Sequence, residues 1–534
     1  MKEIEFNLLD EPWIRVLRPD YAVEGVSLTD ALLHAGEFRS LAGEMPTQDA
    51  AVLRLLLAVL HTVVSRDRET GEPAFRCADD ALLCWQQIWN QGRFDGGQIR
   101  DYLERWRDRF WLFHPERPFY QVPEAGIGTE YMAAKLNGEV SESGNKFRLF
   151  SSYLGGEKET MSYAQAARWL VYLNAFDDTS AKPKGKNLPS PGPGWLGKLG
   201  MILARGDNLF ETLMLNLTLL KDGAVLWGAP KPCWERERPA AGERIEIPVP
   251  DNPAQLLTLQ SRRLLLLREE GRVTGYRLLG GDFFEPGNAF AEQMTVWKKE
   301  NGKRDEPDVF RPARHDPAKK FWREFPAAFA AGAGVHRPGV VSWLSCLEQT
   351  GILDRQMICF QTVAAVYGDK NFFVADTFDD ALSFHLSLLG ELGAYWQNAV
   401  TQEVGRCEQL AGALGRFAKK LAQACGGDAD EKNSGARKEF YFQIDQPFRE
   451  WLYGIDPDRK AEEQTERVLA WRKQAARLAR TIAQQMMEDA GPSAFAGRVL
   501  KTKKGKKTYT EYVSAPAAYH WFLGEIRKIC GGEG

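Results

Sequence analysis

The hydrophobic and polar positions of this chain change rhythm near residue 380. Before that point, short apolar runs alternate with turn-rich connections. "PTQDAAVLRLLLAVLHTVVS" opens with Pro46, Thr47 and Asp49, which suit a first helical turn, and predicts a helix to about Val64. "IEFNLLDEPWIRVL" predicts a strand anchored by Trp13, and "LFETLMLNLTLL" (209–220) predicts a second apolar helix. Pro- and Gly-rich stretches at 115–127, 181–197, 226–254 and 280–317 predict a heavy load of long loops, which are usually functional or partner-bound. After Phe378, "DDALSFHLSLLGELGAYWQNAVTQEVGRCEQLAGALGRFAKKLAQA" keeps apolar residues at helical spacing. "ERVLAWRKQAARLARTIAQQMMEDA" adds a second long helix, and "KEFYFQIDQPFREWLYGI" and "APAAYHWFLGEIRKIC" add two shorter ones. The expectation is an α+β protein: a large mixed N-terminal domain with long loops (1–380), followed by a C-terminal four-helix bundle (381–534).

One stretch breaks the pattern. In "VYGDKNFFVAD" an apolar lead-in stops at Tyr367, Gly368 to Asn371 are turn formers, and Phe372, Phe373 and Val374 resume the apolar run. This reads as a hairpin. A turn does not by itself need a lysine and an amide side by side, so Lys370 and Asn371 stand out as a candidate probe.

Composition narrows the chemistry. At 534 residues, 44% hydrophobic and 26% charged, the chain is globular and long enough for two or more domains. No run of 18 apolar residues occurs, and the N-terminus lacks an apolar signal segment, so the expectation is a cytoplasmic protein with no membrane span. The eight cysteines form no C-x-x-C pair. Phosphate-loop, dinucleotide and H-E-x-x-H motifs are missing, which lowers the odds of catalysis. "RPARHDPAKKFW" offers His315 beside Asp316 as the one seed for metal chemistry; a turn capped by the aspartate is the simpler reading.

The charge distribution points to nucleic acid. Net charge is −3 overall, but residues 381–534 carry 23 Lys and Arg against 19 Asp and Glu, a net +4, and the first 380 carry 46 against 53, a net −7. "TSAKPKGKNLPSPGPG" sets Gly185 between Lys184 and Lys186; glycine lets backbone approach a phosphate or groove floor, and lysines neutralise phosphates. "NKFRLFSSY" interleaves Arg148 with Phe147 and Phe150, suiting stacking plus charge. "VWKKENGKR" predicts a basic turn at Lys298 and Lys299. "RVLKTKKGKKTYTEY" predicts a mobile basic loop carrying Lys503, Lys504, Lys506 and Lys507. Each run alone reads as solvated surface; four together shift the balance.

These stretches, in their order, resemble one family: the large subunit of the type I-E CRISPR surveillance complex Cascade, also called CasA. The resemblance rests on "FNLLDEPWIRV", "PTQDAAVLRLLLAVLH", "HPERPFYQV", "GPGWLGKLG" with "LFETLMLNL", "MTVWKKENG" with "RPARHDPAKKFW", and "VYGDKNFFVAD". It implies a non-catalytic subunit that recognises a protospacer-adjacent motif in double-stranded DNA, starts strand separation for guide-RNA pairing, and helps recruit the nuclease-helicase in antiviral defence. Its implied partners are target DNA, guide RNA, the other Cascade subunits and the nuclease-helicase. It places the strand-parting wedge at Lys370 and Asn371, where the family often carries glutamine or asparagine, so Lys370 is a departure. It places minor-groove contacts around Gly185 with Lys184 and Lys186, and at Lys298 or Lys299, and a guide-RNA-proximal loop at Phe150 with Arg148. A zinc site known in some members has no cysteines here, so no cofactor is implied. A scaffold of the same assembly without motif reading is the alternative, and a metal-dependent nuclease a further one.

Overall fold

The computed structural model describes residues 3–142, 151, 153–179, 190–237, 250–283, 291–300, 309–332, 334–354, 356–391, 393–457, 459, 461–504 and 507–531. The chain divides into two compact units. The first comprises Met1–Lys319 and Ala327–Ala381, the second Lys320–Pro326 and Leu382–Gly534.

In the first unit, helix Pro46–Val64 begins with its proline in the first turn, where the missing N–H costs nothing, and packs against helices Tyr163–Phe176 and Pro253–Leu257. Its length and composition would suit a membrane span, yet 94% of its apolar window is buried inside the fold, as in a core helix. Within that core Arg54 makes a bidentate pair with Glu292 (2.8 and 3.0 Å), and the Trp195 indole donates to the same carboxylate (2.9 Å). The "IEFNLLDEPWIRVL" segment forms two short strands, Glu5–Asn7 and Ile14–Leu17, because the chain turns between them with Asp10 to Pro12 exposed, while Leu8, Leu9 and Trp13 are buried and the Trp13 indole donates to the Leu8 carbonyl. Helix Leu209–Asn216 is shorter than its apolar run, since the chain leaves it for strand Leu220–Lys221.

The sheets have two or three strands each, and the described registers are antiparallel, as an α+β fold requires. The sheet that matters most places strand Met357–Tyr367 between Met201–Arg205 and Val374–His385. The last of these strands occupies residues expected to be helical. Leu382 and Phe384 are buried at a spacing of two, a strand's period, and sheet pairing decides between the readings. The helix starts only at Ala394.

The second unit is helical, with helices Ala394–Cys425, Ala429–Tyr453, Ala461–Glu488 and Ala515–Cys530. Aromatic rings fill its interior: Trp451 stacks on Trp471 (centroids 5.2 Å apart) and Phe417 on Phe522 (5.2 Å). The excursion Lys320–Pro326 is part of this core. Trp322 is fully buried, stacks on Phe448 at 4.2 Å and donates its indole N–H to Asp445 (2.9 Å). Arg323 bonds Glu408 and lies over the Tyr441 ring at 3.6 Å. The basic segment near the C-terminus is a β-hairpin, Arg498–Lys504 paired with Lys507–Val513, in place of the expected mobile loop. Its alternating Thr, Tyr and Val residues favour strands, a preference the lysine run masks.

Candidate nucleic-acid interface

The "VYGDKNFFVAD" hairpin is present, and its turn is a single 3-10 turn, Asp369–Asn371. The Gly368 N–H donates to the Phe373 carbonyl (3.0 Å) and the Asn371 N–H to the Gly368 carbonyl (2.9 Å). Lys370 and Asn371 both occupy the left-handed region, with φ of 49° and 59°. Two consecutive non-glycine residues there cost of order 1–3 kcal/mol each and persist only when the surroundings hold them.

Two residues from distant parts of the same unit hold this tip, and Tyr367 beside it is anchored in turn. The Thr179 peptide N–H donates to the Asn371 carbonyl and its hydroxyl to the Lys370 carbonyl, both at 2.9 Å. Arg314 donates to Asn371 Oδ1 (3.0 Å) and its guanidinium lies 5.2 Å from the Tyr367 ring centroid. Arginine can only donate, so the amide must present its oxygen and leave its NH2 for other partners. The Tyr367 hydroxyl donates to the Phe176 carbonyl (2.8 Å), and burial pushes this phenol well above the usual tyrosine range, so it remains a donor. Gly197 lies against that hydroxyl, where a Cβ would collide with it. Lys370 itself is exposed.

The support continues behind Thr179. Asp177 and Asp178 are buried and ion-paired, Asp177 with Arg262 and Asp178 with Lys135. Arg262 also donates to the carbonyls of Asp178 (3.0 Å) and Gly192 (2.7 Å), so one buried guanidinium ties the backbone on both sides of residues 180–189.

Lys298 and Lys299 lie on strand Trp297–Glu300, which pairs with Val309–Pro312, in place of the expected basic turn, because ladder pairing extends through both lysines. Neighbouring strand residues point to opposite faces, so the two lysines cannot act on one groove together. Lys298 sits opposite Arg311, whereas Lys299 shares the face of buried Trp297 and opposes Phe310. The hairpin is tied down where Val296 N–H meets the Gly200 carbonyl (2.9 Å), and a Cβ on Gly200 would collide with the Ala313 carbonyl. Arg314 follows immediately, so the basic hairpin and the tip share one strut. His315 is spent on the Met201 carbonyl (2.9 Å) and Asp316 caps the Ala318 N–H (3.0 Å). Among the described residues, no three His, Cys, Asp or Glu side chains come together to hold a metal.

Gly185, Lys184, Lys186, Phe150, Arg148 and Lys506 lie outside the described residues. The backbone positions of Lys503, Lys504 and Lys507 are those of the C-terminal hairpin. Sequence reasoning missed Thr179, Arg262 and Arg314, because nothing local marks residues that act across more than fifty positions. It also missed a groove of about 700 Å³ between helices Ala461–Glu488 and Ala515–Cys530, lined by Arg472, Lys473, Arg477, Arg480 and Arg527. Buried Glu403 bonds Arg472 (2.8 Å). The spacing 473, 477, 480 puts three cations on one helical face, a signal present in the sequence.

The chain is similar to known proteins over most of its length. A model of CRISPR-associated protein Cse1 matches residues 7–482, a range that includes the hairpin tip and its anchors and ends before the C-terminal hairpin. The CasA/Cse1 protein of Thermus thermophilus is 35% identical over 334 residues, 62% of this chain and 61% of that protein, so the match spans about three-fifths of that relative's length. The crystal structure of Thermobifida fusca Cse1 superposes over 99% of both chains at 29% identity with a TM-score of 0.83. A chain of a CRISPR RNA-guided surveillance complex shares the fold over 98% of this chain and 99% of its own at 16% identity, with a TM-score of 0.66. Sequence and fold thus converge over nearly the whole length, and the chain belongs to the CRISPR-associated protein Cse1 family.

Proposed function

We propose that this chain is the non-catalytic large subunit of an RNA-guided surveillance complex, and that it recognises a short motif in double-stranded DNA and starts strand separation there. The carrying observation is the hairpin tip: an exposed lysine on a strained turn that three hydrogen bonds from Thr179 and Arg314 hold in place. A tip meant to part stacked bases has to resist being pushed back. Unstacking costs a few kcal/mol per step, offset by backbone contacts and then by guide pairing. Lys370 takes a phosphate or base edge, and the Asn371 NH2 replaces a lost base-pair hydrogen bond. Lys298 or Lys299 and the Gly185 segment with Lys184 and Lys186 approach the minor groove, whose degenerate code gives tolerant recognition. Phe150 and Arg148 lie near the guide RNA.

On this reading the helical unit is a four-helix bundle that meets neighbouring subunits, and Lys503, Lys504, Lys506 and Lys507 hold displaced or flanking DNA by charge alone. The complex, with its guide RNA and recruited nuclease-helicase, works in the cytoplasm, and no cofactor is required of this chain. In the assembled complex, 2-aminopurine placed beside the motif reports opening. Lys370→Ala/Asn371→Ala should lower the opening signal far more than duplex affinity; equal opening by mutant and wild type removes the wedge.

A further inference from the structure

The strain at the hairpin tip has an identifiable support, and that support is made of residues no motif marks. Lys370 and Asn371 turn their carbonyls toward Thr179, which meets each with one hydrogen bond (2.9 Å). Arg314 takes the Asn371 side-chain oxygen from the other direction. Thr179 is in turn placed by Asp177 and Asp178, whose carboxylates are fixed by buried Arg262 and Lys135. Buried carboxylates with fixed partners give a stiff platform, since moving either one separates a charge pair away from water. Only Thr179 and Arg314 touch the tip among these groups.

We propose that Thr179 and Arg314 are positioning residues for strand opening: they hold the left-handed pair Lys370–Asn371 in its working geometry from the Asp177–Asp178 platform, without contacting DNA themselves. This rests on the wedge reading above, and it adds that the tip's shape, in addition to its side chains, sets opening. A tip released from Thr179 would relax toward ordinary backbone angles, because a non-glycine pair has no intrinsic reason to stay left-handed. Its lysine would remain, and first contact with the duplex would survive.

Thr179→Val keeps the shape of the side chain and deletes its hydroxyl donor; Thr179→Ser restores the donor. The assembled complex with guide RNA is mixed with motif-bearing duplex carrying 2-aminopurine, and opening, duplex affinity and the salt slope of binding are measured. The expected result is a two- to tenfold loss of opening equilibrium for Thr179→Val, from the usual worth of about one hydrogen bond, with near-normal opening for Thr179→Ser. Duplex affinity should change less than twofold. Arg314→Gln should lower opening similarly and leave the salt slope unchanged, whereas a phosphate contact would reduce it by about one unit. Added to Lys370→Ala/Asn371→Ala, Thr179→Val should cause no further loss, because both act through one tip. Three outcomes overturn the proposal: normal opening by Thr179→Val while Lys370→Ala/Asn371→Ala is impaired, multiplicative losses in the combined variant, or a reduced salt slope in Arg314→Gln. Normal opening by Lys370→Ala/Asn371→Ala itself is a separate result, since it removes the wedge reading on which the inference stands.

Discussion

The hairpin around Lys370 and the strand pair Arg498–Lys504 and Lys507–Val513 both carry lysines, and their described anchors lie in different places. The first is tied at its tip by residues far away in the chain, Thr179 and Arg314. The described anchors of the second lie at its base, where Lys420 pairs with Glu511 (2.8 Å) and the Tyr512 hydroxyl donates to the Ala496 carbonyl (2.6 Å). A lysine on a secured tip can act through position, so its replacement should alter a step that depends on shape. On the proposed reading the lysines of the second hairpin act through charge, which salt screens and which every DNA sequence feels alike.

The largest test of this contrast attacks the foundations. Arg262→Met removes the guanidinium paired with buried Asp177 and should lower stability by about 3–5 kcal/mol in denaturant unfolding of the full chain. Lys420→Met, which breaks the exposed pair at the base of the second hairpin, should cost about 1 kcal/mol or less in the same measurement. Similar losses for the two would mean that the first hairpin is no better founded than the second. Next in size, Lys370→Ala/Asn371→Ala should cut the opening equilibrium about tenfold, as loss of one or two net polar interactions would, while retaining most duplex affinity.

A smaller effect is expected from the second hairpin. Glutamine at Lys503, Lys504, Lys506 and Lys507 should weaken motif and non-motif DNA equally, with each lost phosphate contact lowering the salt slope by about 0.9. Selective loss for motif DNA would put shape-dependent reading there too. The smallest difference lies between Lys298→Gln and Lys299→Gln. Strand alternation allows only one of them to face a groove, so one variant should lower the slope by about one unit and the other leave it unchanged.

What the sequence revealed follows the range of each interaction. The Lys370 turn was legible because Gly, Asp and Asn between two apolar runs are local signals, and the Pro46 helix because its period and first turn agree. The strand Val374–His385 was misread as helix: its apolar residues fit either period until Met357–Tyr367 lies beside it. The basic hairpin was misread as a loop because charge outweighed β-forming Thr and Tyr in the reading. Thr179, Arg262 and Arg314 carry no local mark at all. Their meaning comes from burial and from carbonyls presented by segments 57 or more residues distant.

The Lys320–Pro326 excursion has a consequence for inheritance. Trp322 and Arg323 belong to the helical core, yet they are encoded upstream of the Lys370 hairpin. A recombination crossover near codon 381 that replaced everything downstream with a relative's sequence would join one parent's Trp322 to the other's Phe448 and Asp445. Stacking and the indole hydrogen bond would survive only if both parents kept matching residues at the three positions. The downstream region is therefore a poor unit of exchange, and residues 320–326 should change in step with the helices rather than with their neighbours in the chain.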